Sequence, residues 1–353
     1  MRKTVQDGRP AHAADWDADG RTAAAGRAER RGDVTRRGWW LFAAMSVIWG
    51  IPYLLIKVAV AGVPVPVLVL TRVGVGALLL LPVAAGRREL AVLRPHWRWL
   101  AAFALVEIVI PWLLLSEAET RLPSSLSGLL IASVPILVAI LSRLTGGTDR
   151  LSAVRWAGLL VGLAGVILLA GPGAPAGDLG SIGEVLLVAL CYATGPLIAS
   201  RKLSELPPIG MTAACLAFAA VIYAPLAALS WPSSLPSARV LGAMAGLAVL
   251  CTAVAFLLFF ALIAEVGPAR ASVITYINPA VAVGLGVWVL SERLTPAMAV
   301  SFALILGGSV LATRGGRRGT EDLAAEVAPR QADLGDRGGL PGDNCPAVGQ
   351  QPG

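Results

Sequence analysis

Long stretches of this chain lack the polar–apolar alternation of a water-soluble helix and are apolar on every face. Ten can be bounded, over residues 39–60, 64–85, 99–117, 125–143, 153–171, 182–200, 208–230, 240–263, 269–290 and 297–313. Each is near the roughly 20 apolar residues that cross a bilayer as one helix. The links are short and leave no room for a soluble domain. The pattern predicts an all-α polytopic membrane protein with ten transmembrane helices.

Composition agrees with this. Of 353 residues, 56% are hydrophobic and 14% charged, against roughly 25% charged in a soluble domain. Charges crowd Met1–Arg37, Arg314–Arg337 and the short links. Residues 1–37 carry charges throughout and no apolar core, so they do not read as a signal peptide. They and residues 315–353 read as disordered cytoplasmic tails. The net charge of +7 flanks apolar runs instead of clustering with aromatics, which argues against nucleic acid and for membrane orientation. The links at Arg36–Arg37, Arg87–Arg98, Arg143–Arg155, Arg201–Lys202, Arg270 and Arg314–Arg318 carry most of the basic residues. They alternate with links holding only Arg121, Arg239 and Arg293, which places both termini in the cytoplasm. Four cysteines without a CxxC pair, and two histidines in polar segments, suggest neither a disulfide framework nor a metal site.

The two halves repeat. Pro135 matches Pro279, Pro52 matches Pro196, Pro64 matches Pro208 and Lys57 matches Arg201, all 144 residues apart. After a one-residue slip, Leu151 matches Leu294 and Gly165 matches Gly308. The expected units are residues 38–171 and 182–314, five spans each. An odd span count inverts the second copy in the bilayer, an arrangement that recurs in transporters. Glu292-Arg293 in "GVWVLSERLTP" and its faded copy Asp149-Arg150 in "TDRLS" mark the tight turn between spans four and five of each unit. The carboxylate is expected to cap the helix that follows the turn.

The stretch "PAVAVGLGVWVLSERLTPAMAVSFALILGGSVLATR" resembles the end of an EamA domain of the drug/metabolite transporter superfamily. "PILVAILSRLTGGTDRLSAVRWAGLLVGLAGVILLAG" is a weaker copy, and "SVIWGIPYLLIK" and "PVLVLTRVGVGALLLLP" are similar to the family's first two helices. The resemblance spans about residues 39–314. It implies ten helices in two inverted five-helix repeats, movement of small metabolites such as amino acids, often outward, and no cofactor. The sequence departs from the family pattern at Asp149, where a glutamate is usual, and at Glu107 inside the third span.

Glu107 is the most informative residue. A charge at mid-span costs roughly 2.5–3.5 kcal/mol, so it needs a partner or a wet cavity. Arg72, at similar depth in span two, is its natural partner. Three readings stay open: a structural ion pair, a proton-coupling carboxyl at Glu107, or a substrate site in which Arg72 takes a carboxylate and Glu107 an amine. Thr275, Tyr276 and Asn278 before Pro279 form a second polar group, with Ser133 and Pro135 as inverted counterpart. Trp49, Gly50 and Pro52 pair with Tyr192, Gly195 and Pro196, and Trp49, Tyr192 and Trp112 are candidate cavity walls. Pro52, Pro135, Pro196 and Pro279 are the expected helix breaks. Gly158 and Gly162, with Gly165 one turn on, permit a close helix contact, within the bundle or with a second copy of the chain.

The chain has no HExxH, P-loop or GxSxG, so neither an enzyme nor an ATP-driven step is expected. The leading expectation is a secondary transporter, an exporter, of the bacterial inner membrane. Its partners would be a small-molecule substrate, the bilayer, protons as a coupling ion, and a homodimer mate in one arrangement. Efflux of drugs or cationic amphiphiles is an alternative; a non-transporting scaffold or intramembrane enzyme is another. A polar midplane favours a carrier and a solid apolar interior a scaffold.

Overall fold

A computed structural model of the protein describes residues 35–144, 153–170 and 179–313. The N-terminal tail up to residue 34, the whole C-terminal tail and the turn at Asp149-Arg150 lie outside the described residues. Among the described residues the fold is entirely helical. Seven helices are long and apolar enough to cross a membrane: α1 (Arg36–Val60), α2 (Val65–Gly86), α3 (Leu90–Arg121), α4 (Ser124–Leu141), α6 (Leu179–Lys202), α7 (Pro208–Leu229) and α8 (Ala238–Val266). Three shorter apolar helices complete the set: α5 (Ala153–Leu169), α9 (Ile274–Leu290) and α10 (Pro296–Ala312).

The helices bend where the sequence removes backbone donors or side chains. α1 is interrupted at Trp49-Gly50 and resumes at Ile51 with Pro52 in its first turn. There Gly50 lets α9 approach, since a Cβ would meet Val281 at 2.5 Å. α4 is interrupted at Ala132-Ser133, and Pro135 sits in the turn that follows. Pro196 and Pro279 lie inside continuous helices. The interruption near α9 falls earlier, at Ser272-Val273, after a short helical turn at Pro268–Ala271. α3 and α8 each carry a π-helical segment, at Leu105–Val109 and Gly246–Val254. Residues 107 and 251 sit inside these segments and are 144 positions apart (251 − 107 = 144), the offset of the sequence repeat.

Close approaches set the packing. α5 lies along α10: a Cβ on Gly158 would strike Ala312 and Leu311, one on Gly165 would strike Ile305 and Leu304, and Gly308 sits against Gly162. The contact order therefore runs backwards along α10, so the two helices are antiparallel. The glycine face of α5 is thus used inside the chain. α2 packs on α7, and Glu89 just past α2 bonds Gly210 at the start of α7, again antiparallel. α4 packs on α9, with Gly128 against Ala282. Large apolar residues such as Leu78, Leu160, Ile167, Val221 and Leu229 are exposed on the bundle's outside. Trp39, Trp40, Trp97, Trp99, Trp156, Trp231 and Trp288 are exposed near helix ends, as expected at a membrane interface.

Candidate functional site

The bundle interior is polar at defined points. Arg72, Ser116, Glu119, Ser124, Ser125, Ser127 and Thr252 are all buried. Arg72, on α2, lies with its guanidinium carbon 3.6 Å from the centre of the Trp112 ring on α3. Its Nε donates to Thr252 Oγ1 on α8 at 3.1 Å, and Thr252 in turn donates to the Leu247 carbonyl at 2.8 Å. Gly76, one turn from Arg72, makes room for Thr252, since a Cβ would meet its methyl at 2.9 Å. The guanidinium is thus held flat by an aromatic face and one hydroxyl. Its two Nη groups make no hydrogen bond to the described residues. Tyr192 of α6 and Tyr53 of α1 lie within electrostatic reach of it. The result is a planar cation stacked on an aromatic ring where α2, α3 and α8 meet.

Glu107 does not pair with Arg72, contrary to the sequence expectation. An expected depth does not fix direction around the helix. Glu107 sits in the π segment of α3 and faces α6, where a Cβ on Gly195 would collide with its carboxyl. Its Oε2 is buried and without a hydrogen-bond partner. Trp112, five residues on, faces Arg72 instead. The expected cavity walls also separate. Trp49 packs against Phe259 and Phe256 of α8, at 4.5 and 6.1 Å between ring centres. Tyr192 and Trp112 stay with Arg72.

The polar group before Pro279 serves the backbone. Thr275 donates to the Ser272 carbonyl at 2.8 Å. The Asn278 amide is flanked by the carbonyl oxygens of Ser46 and Ile274, so the orientation that satisfies both is the one in which its nitrogen donates to them at 3.0 Å, tying α9 to α1. Tyr276 is half-buried in the same turn. Ser133 donates to the Leu130 carbonyl at 2.7 Å.

Sequence reading missed Glu119. It falls just past the predicted end of span three, in "LSEAET". The helix continues to Arg121, which puts Trp112, Ser116 and Glu119 on one face at helical spacing. Glu119 is fully buried, and neither carboxyl oxygen has a hydrogen-bond partner among the described residues. Lys57 donates to the Glu119 and Leu122 carbonyls at 2.7 and 2.8 Å, satisfying the end of α3. The available signal was Lys57 itself, a cation inside an apolar helix that needs oxygen partners at its own depth.

Glu292 caps a helix, but not the one that follows it. Its carboxylate accepts from the Ser124 N–H at 2.7 Å, the Ser124 hydroxyl at 2.9 Å and the Ser125 N–H at 2.9 Å. These are the free donors at the start of α4. The turn is shaped for this. Ser291 adopts a left-handed conformation (φ 56°), and the Glu292 N–H returns to the Gly286 carbonyl at 3.1 Å. Gly286 leaves the space, since a Cβ would meet Glu292 Oε2 at 2.5 Å. Two further ties join helix ends. Arg121 at the end of α3 bonds Ser181 and Glu184 near the start of α6, at 2.7 and 3.0 Å. Thr35 before α1 donates to Glu265 near the end of α8.

Apolar helices around a buried, aromatic-stacked cation define an integral membrane protein with a polar interior. The sequence profile of the EamA-like transporter family matches residues 36–171 and again 181–314. The chain belongs to that family. It is 29% identical over 278 residues to the uncharacterized inner membrane transporter YedA of Escherichia coli K12, covering 77% of this chain and 89% of YedA. It is 25% identical over 272 residues to the uncharacterized transporter YvbV of Bacillus subtilis, covering 75% and 88%. One solved crystal structure superposes with a TM-score of 0.58 at 24% identity, covering 80% of this chain and 98% of that one, a likeness of fold. Family and relatives point to a membrane transporter rather than an enzyme.

Proposed function

We propose that the protein is a secondary exporter of small metabolites such as amino acids. It works in the bacterial inner membrane, with both termini cytoplasmic, by alternating access between two inverted five-helix repeats. The observation that carries this reading is the pairing of counterparts. α2 packs on α7, α4 on α9 and α5 on α10, the same helices that the 144-residue offset equates. The contacts of α3 with α6 are matched by those of α8 with α1. Even the ties correspond: Arg121 and Glu265 are 144 positions apart (265 − 121 = 144), and each joins its helix end to the start of the next counterpart. Antiparallel packing of α2 with α7 and of α5 with α10 supports inversion. Arg72 takes the substrate carboxylate in this reading, because a guanidinium fits a planar carboxylate and its Nη groups are uncommitted. Trp112, Tyr192 and Tyr53 give the site an apolar wall. The reading needs the bilayer and protons as partners but no homodimer, since the glycine face of α5 is occupied by α10.

Export of cationic amphiphiles is the second reading. Glu107 without an arginine partner favours it, though the aromatic rings gather around Arg72 instead. Counterflow decides between the two. Purified protein in liposomes preloaded with an unlabelled amino-acid panel is given the labelled compounds outside. Saturable uptake that Arg72→Ala abolishes supports the metabolite reading. Uptake of a cationic dye that survives Arg72→Ala and fails in Glu107→Gln supports the second.

A further inference from the structure

We infer that Glu119 is the proton-carrying residue of this transporter, sealed from the α3–α4 end of the bundle by the grip of Glu292 on α4. The inference rests on the transport reading and names the coupling group within it.

Three observations converge. First, Glu119 is fully buried and both carboxyl oxygens lack hydrogen-bond partners among the described residues. An ionised carboxylate in that state is costly, and a proton removes the charge. Second, the groups facing it do not neutralise it. The groups within electrostatic reach of it are Lys57 and Tyr53 on α1, Arg72 on α2 and Glu292 in the turn after α9. Lys57 directs its ammonium to two backbone carbonyls. Arg72 is held on Trp112 and Thr252. Glu292 adds a second negative charge, held by the donors that begin α4. Both cations are engaged by other groups, so neither bonds the Glu119 carboxyl directly. Third, Glu119 is placed to couple. It shares a face of α3 with Trp112, seven residues or roughly 10 Å of helical rise away. A proton there and a substrate on Arg72 occupy the same helix face.

The path outward is the short link from α3 to α4. Ser124 and Ser125 begin α4 directly after it, and both are pinned by Glu292. Letting go of Glu292 frees the start of α4 and admits water to Glu119. The proton then leaves for solvent and the carboxylate stays hydrated until the grip is restored. Glu107 is the comparator, a second intramembrane carboxyl with an unpartnered oxygen but no cation close by.

The test is infrared difference spectroscopy of the reconstituted full chain across a pH series. It reads the C=O stretch of protonated carboxyl groups without any substrate. A titrating, deuterium-sensitive band is expected in wild type and in Glu107→Gln, lost in Glu119→Gln and shifted in Glu119→Asp. A wild type without such a band, or one that Glu119→Gln leaves intact, overturns the inference. The transport arm uses the amino-acid panel. Glu119→Gln is expected to keep counterflow while losing accumulation driven by a pH gradient. Loss of both, or of neither, overturns the coupling role. If wild type moves no compound on the panel, the transport reading fails, while the infrared band still decides whether Glu119 holds a proton.

Discussion

Removing the Glu292 carboxylate is expected to loosen the two halves of the bundle by a calculable amount. The carboxylate receives three hydrogen bonds, at 2.7, 2.9 and 2.9 Å. A hydrogen bond to a charged group contributes about 1.5–3 kcal/mol. Negative charge at a helix start adds about 0.3–1 kcal/mol. The plain sum overstates the loss, because Glu292 is half-buried and water can enter once the side chain is cut. Ser124 and Ser125 are themselves buried, however, so their N–H groups are poorly served by that water. Glu292→Ala should therefore cost about 3 kcal/mol. Glu292→Gln should cost about 1–2 kcal/mol, because its NH2 end faces N–H donors. Arg293→Ala, one residue on and exposed, should change stability by less than about 0.5 kcal/mol. Reversible unfolding in mixed detergent micelles measures all three. An alanine variant as stable as Arg293→Ala would refute the account of the turn as a clamp on α4.

Arg72→Lys keeps the charge but loses the flat stack on Trp112 and the bond to Thr252; counterflow should fall about tenfold or more, and full activity would argue against a bound carboxylate. Gly308→Ala pushes a methyl into the backbone of Gly158 and Gly162, at a cost of about 1–3 kcal/mol; unchanged unfolding would mean that α5 and α10 are not in contact. Tyr223→Phe removes the hydroxyl that donates to the Val109 carbonyl of the π segment in α3. It should cost about 1–2 kcal/mol, and a neutral result would show that water or a rearranged backbone takes over that carbonyl.

Much of this molecule was legible in its sequence because hydrophobicity along a helix is a local property. A run of apolar residues must leave water wherever the rest of the chain goes, so the apolar helices lie where the pattern placed them. The repeat was legible for a related reason. Pro52, Pro135 and Gly165 impose backbone constraints that survive when ordinary apolar residues drift. Direction around each helix is different, since it follows from neighbours far along the chain. Arg72 and Glu107 are expected at similar depth, yet one faces Thr252 and Trp112 and the other faces Gly195. Pro279 looks like a break, but α9 runs through it, and the interruption falls at Ser272-Val273. Glu292 was identifiable as a cap, but its helix was not, because the free donors that it satisfies lie 167 and 168 residues earlier. Glu119 was overlooked for the same reason. Its place in the sequence is the polar edge of a span, and only the packing of the bundle closes it off from water.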